Sequence, residues 1–353
     1  MKKRGIAALL AGVMIASLAL TGCGDKPMDK DAVALKVGDE EITLGFLNFM
    51  ARYQQACYDD LYVMYLGEDA WETDPDGDGL TLEESTKAEV LEMVQGWYVL
   101  EAMQEQYDVV VPDSFEGTIK DTAAQFMADN TPEALEQMGA TQEYVETMLY
   151  YRTLEALMMT AIEAEAQVTV TDEEAAQRSL SYILLSNKGA NTESGTYELF
   201  DEAELEEVRA QAQKKVVEAK ADFDKLAEEL GYTGMTYSYS PDDNYMDPAI
   251  IEAANALDEG EVSDLIEGMN GFFVIRLDSI HDETASETNK LILLAEKRQA
   301  YYQEVLKKAI EAAQITVDEK LWAQVTFDSL FTVKTEEETD ATTEETETSA
   351  TAE

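Results

Sequence analysis

The chain has 353 residues, of which 74 are acidic and 25 are basic, giving a net charge of −49 at pH 7. A surface this acidic repels phosphate backbones and anionic headgroups, which excludes nucleic acid as a partner and leaves cationic clients or divalent ions as compatible ones. The single histidine, His281, excludes most Ser/His/Asp, Cys/His and zinc sites, because these need a histidine within a defined constellation.

The first 22 residues are typical of a bacterial lipoprotein signal peptide. Three basic residues at positions 2–4 precede an apolar run over residues 5–20, which is too short for a comfortable membrane span. Residues 20–23 (LTGC) match a lipobox, so we expect processing before Cys23 and a lipid on its sulfur. The alternative is an ordinary secretory signal with a chance cysteine. The lipobox predicts a protein anchored at the extracytoplasmic face of the cell membrane, with a net charge of about −52 after processing.

A linker over residues 23–31 leads into a predicted strand and a first helix. Residues 33–37 (VALKV) form the strand, and Thr43 stands at the N-cap position of the helix. The helix has an apolar stripe formed by Phe46, Met50, Tyr53, Cys57, Leu61 and Met64. Because no second cysteine remains after processing, we expect Cys57 to be a buried, unreactive thiol.

Two further helices are predicted before residue 167. One begins near Thr81, with Glu84 in the capping-box position, and a long one begins near Thr141. Their apolar stripes indicate a helical core over residues 32–167, and no cofactor motif accompanies them.

An acidic loop before Thr81 resembles half of a calcium-binding loop. Asp74, Asp76 and Asp78 occupy the first, third and fifth positions of such a loop, and a glycine occupies the sixth. The twelfth position is Ser85, where a bidentate glutamate is expected. Calcium is one interpretation, and a polar turn between two helices is the other.

Residues 168–282 differ in character from both flanking regions. A Val/Thr-rich extended run, a strand-like segment over residues 181–185 and a charged helix over about residues 201–231 indicate a compact β/α domain.

Helical patterning returns over residues 283–333. The apolar stripe within residues 302–310 has no partner nearby in sequence, so we expect this region to pack on residues 32–167. Residues 334–353 are acidic and lack large apolar side chains, which predicts a disordered tail.

Three motifs in the β/α domain carry a family resemblance. They are DFDKLA at residues 222–227, LDEGEVS at residues 257–263 and the aromatic strand after Gly271. Together they resemble the parvulin-type peptidyl-prolyl isomerases, and the layout of the chain is similar to that of the PrsA/SurA family of extracytoplasmic foldases. The resemblance implies an α+β fold, in which a mainly helical chaperone-like domain from both ends of the chain is interrupted by a small parvulin-like β/α domain.

The resemblance also implies a substrate pocket that lacks the family's histidine pair. Tyr182 and Phe273 occupy the two histidine positions. Met246 falls on a pocket methionine, Ile250 on a pocket phenylalanine and Asn270 near a polar pocket residue. We therefore assign no catalytic residue. Either the two aromatic side chains fill the core, or the Tyr182 hydroxyl partly replaces the histidine network.

By this resemblance, the chain is a membrane-anchored folding factor that binds unfolded or translocating secreted polypeptides and requires no cofactor. Its isomerase activity is expected to be weak or lost. Two alternatives stay open. One is an active peptidyl-prolyl isomerase with a divergent pocket, and the other is a non-catalytic surface adaptor.

Overall fold

The computed structural model describes residues 28–190 and 197–331. The predicted signal peptide, the lipid site at Cys23, the first part of the linker and the acidic tail over residues 334–353 lie outside the described residues. The described chain forms two compact units, one comprising residues 28–99, 112–152 and 313–331, the other residues 100–111, 153–190 and 197–312.

The predicted α+β class is confirmed, with helices as the larger part. In chain order the elements are β1 (Val33–Val37), β2 (Glu40–Thr43), α1 (Leu44–Leu66), a 3₁₀ turn (Ala70–Glu72), α2 (Leu82–Ala102), α3 (Ser114–Asp129), α4 (Pro132–Met138), α5 (Gln142–Glu165), α6 (Asp172–Ala175), β3 (Arg178–Ser186), β4 (Lys188–Ala190), β5 (Tyr197–Leu199), α7 (Glu202–Ala221), α8 (Phe223–Leu230), β6 (Thr236–Tyr239), α9 (Pro248–Ala256), β7 (Ile266–Gly268), β8 (Gly271–Ser279), α10 (Glu283–Ala312), β9 (Ile315–Val317) and α11 (Glu319–Trp322). None of the helices in the described ranges combines the length and the apolarity needed to cross a membrane.

The first unit is built from both ends of the described chain. Its sheet has the antiparallel order β2-β1-β9, and Leu35 of β1 pairs with Val317 of β9. Residues 313–331 therefore belong to the first unit. Residues 283–312 fall in the second, together with residues 100–111 and 153–167 of the N-terminal region on which we expected them to pack. The domain boundaries themselves stay a prediction.

The local signals for helix starts are confirmed. Thr43 accepts a hydrogen bond from the backbone of α1, and Thr81 and Glu84 form a reciprocal capping box before α2. α5 begins directly after Thr141, as its sequence indicates. These signals succeed because a cap depends on residues three positions apart and on no distant partner.

The predicted burial of Cys57 is wrong, because its side chain is exposed. The stripe is buried at Phe46 and Met50 only, and Tyr53 is half-buried. Further along α1 the buried positions are Arg52, Gln55 and Asp59. These three residues lie on another face of the helix, which leaves Cys57 on the solvent side. The polar face of α1 is buried because it packs against a segment distant in sequence, residues 325–331, which we call the C-terminal segment.

The C-terminal segment is held against α1 by hydrogen bonds to its backbone. Arg52 donates to the carbonyl oxygen of Thr326 at 3.0 Å and to that of Ser329 at 3.1 Å. Asp59 accepts a hydrogen bond from the backbone N–H of Phe331. The segment forms no strand, so these long polar side chains satisfy backbone groups that would otherwise lack partners.

In the second unit, the single helix predicted over residues 201–231 is two helices, α7 and α8. Asp222 separates them with extended backbone angles (φ −162°, ψ 94°), and its carboxylate accepts a hydrogen bond from Lys225 N at 3.1 Å. An aspartate side chain competes with helical backbone bonding in this way, and here it caps the second helix instead of continuing the first.

The second unit is organised around a four-stranded antiparallel sheet in the order β6-β3-β8-β7. α7 and α8 cover one face, where Phe223 and Leu226 pack with Ile183 and Val274. α9 covers part of the other face, where Ile250 packs among alternate residues of β3 and β8. Because side chains alternate across a strand, the sheet presents two separate apolar faces, and the second one carries the candidate site.

A capping box also fixes the start of α6, at the entry to this unit. Glu174 accepts hydrogen bonds from the backbone N–H of Thr171 at 2.8 Å and from Lys297 of α10 at 2.9 Å. These bonds lower the pKa of the Glu174 carboxyl to about 2, and the bond from the Thr171 backbone has the largest effect. The carboxylate is therefore charged at neutral pH.

Candidate functional site

Tyr182 and Phe273 lie on the same face of the sheet, as their strand register requires. Leu184 of β3 pairs with Phe273, and Tyr182 pairs with Ile275 two residues further along β8. The ring centroids of Tyr182 and Phe273 are 6.4 Å apart, with an interplanar angle of 51°. The two positions that the resemblance assigns to histidines therefore form one aromatic contact.

The close approach of β3 and β8 depends on Gly271, the first residue of β8. Its φ of 136° is unfavourable for other residues, and a Cβ there would lie 2.2 Å from the carbonyl oxygen of Leu185. This glycine lets β8 begin directly beside β3, and so it sets the register that brings Phe273 to Tyr182.

Met246 and Ile250 join the same apolar cluster. Ile250 is buried on α9, and Met246, just before α9, is half-buried against the cluster. Asp247 caps α9 and also accepts a hydrogen bond from Met269 N at 2.6 Å, which ties the start of α9 to the β7–β8 turn. Four of the five residues predicted to line the pocket thus come together.

Asn270, the fifth residue predicted to line the pocket, does not join the apolar cluster. It is exposed in the turn between β7 and β8, and its carbonyl oxygen accepts a hydrogen bond from Asn187 N at 3.1 Å. Its side chain is not part of the apolar cluster. The reason is that a two-residue turn projects its side chains away from the sheet face on which Phe273 lies.

Beside the cluster lies a polar pair, Tyr237 and Asp243, that was not predicted from the sequence. The Tyr237 hydroxyl is 3.1 Å and 3.2 Å from the two carboxylate oxygens of Asp243, which also accepts a hydrogen bond from Met246 N at 3.1 Å. Burial, followed by this carboxylate, raises the pKa of Tyr237. The hydroxyl is therefore a hydrogen-bond donor at neutral pH. A Tyr-x-Tyr strand followed by a Pro-Asp-Asp turn was the available signal.

A second tyrosine, Tyr232, packs against the other apolar cluster, around Ile183 and Phe223, and its ring also reaches Tyr182. Its hydroxyl donates to the carbonyl oxygen of Leu184 at 2.7 Å, and its ring meets that of Tyr182 edge-on at 6.4 Å. Burial, followed by the neighbouring Tyr182, raises the pKa of Tyr232. The site therefore offers apolar surface and neutral hydroxyl groups. These groups suit binding and orientation of an apolar side chain rather than proton transfer near pH 7.

The acidic loop over residues 74–79 is held by hydrogen bonds to its own backbone. Both carboxylate oxygens of Asp74 accept backbone hydrogen bonds within the loop, including 2.7 Å from Gly77 N and 2.9 Å from Gly79 N. Asp78 accepts one from Leu80 N. Asp74, Asp76 and Asp78 form no cluster that could hold a metal ion, and the same is true of acidic, histidine and cysteine side chains elsewhere in residues 28–190 and 197–331. The loop as described is a polar turn held by its own amides, which agrees with the alternative interpretation, and calcium binding stays a prediction.

Comparison with known families defines the class of this domain. Residues 187–289 match the family described as the PPIC-type PPIASE domain, that is, the parvulin-type peptidyl-prolyl isomerases. The match includes Met246, Ile250, Asn270 and Phe273, and it begins after Tyr182. The predicted parvulin-type domain is confirmed.

The particular relatives are foldases. The chain is 30% identical over 128 residues to the foldase protein PrsA of Clostridium botulinum strain Loch Maree, an alignment that covers 32% of this chain and 38% of that protein. It therefore spans well under half the length of this curated relative. The predicted resemblance to PrsA foldases is confirmed over that part of the chain.

Solved structures of foldases and chaperones are also similar. The foldase PrsA of Streptococcus pneumoniae is 20% identical, with a TM-score of 0.33, covering 72% of this chain and 97% of that one. A structure from work on PEB4 and Cj1289, two SurA-like chaperones of Campylobacter jejuni, is 15% identical, with a TM-score of 0.28, covering 81% and 98%.

Proposed function

We propose that this protein is an extracytoplasmic folding factor that binds unfolded or translocating polypeptides, and that its parvulin-type domain has weak or no isomerase activity. The observation that carries the proposal is the Tyr182–Phe273 contact in a PPIC-type domain, at positions where the resemblance calls for histidines. Similarity to a PrsA foldase over 128 residues supports a role in protein folding.

The proposed loss of activity has a physical basis. Prolyl isomerisation crosses a barrier of about 18–20 kcal/mol that comes from amide resonance. The reaction forms and breaks no covalent bond, so it requires no cofactor, and a catalyst needs only to favour the twisted amide. The apolar cluster around Met246 and Phe273 offers a surface for a proline ring. Without the histidine pair, it lacks part of the preorganised polar lining that would stabilise the twisted state.

A second candidate is an active isomerase with a divergent pocket. The observation that favours it is the Tyr237–Asp243 pair, a hydroxyl and a carboxylate in contact beside the apolar cluster. Together with the Tyr182 hydroxyl, it would supply an alternative hydrogen-bonding network around the substrate amide.

An aggregation assay and a prolyl-exchange assay together distinguish the folding factor, the active isomerase and the surface adaptor. We expect the protein from residue 24 onward, without the signal peptide and the lipidated Cys23, to suppress aggregation of at least three unrelated unfolded clients at about equimolar ratio. Prolyl exchange in short Ala-Pro peptides, followed by NMR, should stay near its uncatalysed rate. Exchange well above background would favour the second candidate. Failure in both assays would reject a folding role and leave the surface adaptor as the remaining alternative.

We also assign the membrane anchor to Cys23, from the LTGC motif at residues 20–23. The full-length protein expressed in a bacterium should fractionate with membranes and carry a lipid-modified N-terminal peptide by mass spectrometry. The Cys23→Ser variant should be found in the soluble extracytoplasmic fraction or keep its signal peptide. Matched Cys57→Ser should behave as wild type, since Cys57 lies on α1 far from the motif in sequence. Membrane attachment of Cys23→Ser without its signal peptide would overturn the assignment.

A further inference from the structure

The last two turns of α1 expose an unusual amount of apolar surface. We define the α1 patch as Tyr58, Leu61, Met64, Tyr65 and Leu66. Met64 is 70% exposed and Tyr65 is 73% exposed. Side chains three and four positions apart on a helix are neighbours, so Tyr58, Leu61, Met64 and Tyr65 form a continuous surface, and Leu66 follows them at the end of the helix. A contiguous apolar surface of this kind on a soluble unit indicates an interaction site.

The α1 patch rests on a rigid aromatic base. Tyr62 stacks on Tyr58 with centroids 5.6 Å apart, and its other side meets Trp71 at 5.1 Å. The Trp71 indole donates to Asp59 at 2.6 Å and packs edge-on against Phe327 at 4.9 Å. Aromatic contacts of this kind hold the end of α1 in place, so the exposed side chains need little ordering when a partner binds.

The surroundings of the α1 patch are strongly acidic. Residues 53–86 contain ten aspartates and glutamates and no lysine, arginine or histidine. Burial and the neighbouring Tyr58 raise the pKa of the Tyr62 hydroxyl most, and the carboxylates of Glu89 and Asp76 raise it further. Their negative charge therefore acts on the aromatic base of the α1 patch. The last turn of α1 has no basic residue, so the negative end of the helix dipole adds to this field.

We propose that the α1 patch is a polypeptide-binding surface selective for unfolded segments that combine apolar or aromatic side chains with lysine or arginine. The apolar side chains supply buried area, and the acidic rim attracts the cations and repels acidic segments. A second copy of this chain would bring the same acidic rim against itself, so charge complementarity favours a basic partner. The proposal rests on the proposed folding role and adds the class of client segment.

Binding of three fluorescent peptides to the protein from residue 24 onward tests the proposal. The peptides share the same aromatic and aliphatic residues, and their polar positions are filled with lysine and arginine, with serine and glutamine, or with aspartate and glutamate. We expect the basic peptide to bind at least about tenfold more tightly than the neutral one at low salt. This preference should shrink at about 0.5 M NaCl, where exposed charges are screened. The acidic peptide should bind most weakly.

Two sets of variants assign the effect to the α1 patch. Met64→Ser/Tyr65→Ser should weaken basic-peptide binding about tenfold or more, because the apolar contact is lost. Leu291→Ser/Ile292→Ser, a matched control on exposed residues of α10, should change it less than about twofold. Asp76→Asn/Glu89→Gln should reduce the preference for the basic peptide and its salt dependence while leaving neutral-peptide binding unchanged.

Several outcomes would overturn the inference. They are equal binding of basic and acidic peptides, no binding of any peptide, unchanged binding by Met64→Ser/Tyr65→Ser, or a concentration-dependent dimer by light scattering that this variant abolishes. If wild type still suppresses client aggregation in those cases, only the patch assignment fails. If wild type suppresses no client at all, the proposed folding function fails with it.

Discussion

The variant Tyr182→His/Phe273→His is expected to accelerate prolyl exchange about tenfold to a hundredfold over wild type, which should itself remain near background. Removing one preorganised hydrogen-bond donor from an enzyme site commonly costs about a hundredfold to a thousandfold in rate, so restoring a pair should recover part of that factor. The apolar part of the site is already assembled, because Met246, Ile250 and both aromatic positions share one cluster. Only the polar lining is changed.

Folding of this variant needs its own measurement, because Phe273 is 6% exposed and a histidine there places a polar ring in the core. Each single variant is therefore compared with the double variant by circular dichroism and urea unfolding. Tyr182→Phe is the matched control for the hydroxyl. If Tyr182→Phe loses activity that wild type clearly possesses, the divergent-pocket isomerase is the correct function. A folded double variant without any gain would show that the two positions do not correspond to the histidine pair.

The largest loss of stability is expected from Arg52→Met, about 2–4 kcal/mol in the free energy of unfolding of the first unit. Arg52 is 5% exposed and donates to Thr326 O and to both the carbonyl and the hydroxyl oxygen of Ser329. Its guanidinium also lies 5.1 Å from the centroid of the Phe331 ring. Removing it takes the side-chain donor from the Thr326 carbonyl oxygen and one of three donors from that of Ser329, which keeps Gln55 and Gln137.

The charges around Arg52 support the same expectation. Burial lowers the pKa of its guanidinium, while Asp59, Asp328 and Glu83 oppose that shift. The arginine therefore remains charged and compensates nearby carboxylates. Methionine conserves much of the apolar stem but restores neither the hydrogen bonds nor the charge, so local repulsion among the acids adds to the loss.

Tryptophan fluorescence during urea unfolding measures this effect, because all three tryptophans, Trp71, Trp97 and Trp322, belong to the first unit. Lys36→Met is the matched control. Its ion pair with Glu41 is half exposed, so we expect a change below about 0.5 kcal/mol. Equal midpoints for Arg52→Met and Lys36→Met would contradict the assigned role of the C-terminal segment.

The parvulin-type domain could be predicted because its signals are local. The motifs at residues 222–227 and 257–263, together with Gly271, combine turn chemistry with strand alternation over a few residues each. Once β3 and β8 are adjacent and antiparallel, the period of two places Tyr182 and Phe273 on one face. The Tyr237–Asp243 pair could not be predicted in this way, since it depends on how the irregular chain after β6 folds back.

By itself, the sequence predicted the capped starts of α1, α2 and α5 and the family that the central domain resembles. That its histidine pair is missing stays a prediction from that resemblance. These features depend on residues close together along the chain. Tertiary structure alone decided which side of α1 is buried. Helical spacing identifies a stripe, but burial depends on what packs against it, and the partner of Arg52 and Asp59 is a segment more than 260 residues away in sequence. That distant contact buries the polar face of α1 and leaves Cys57 and the α1 patch in solvent.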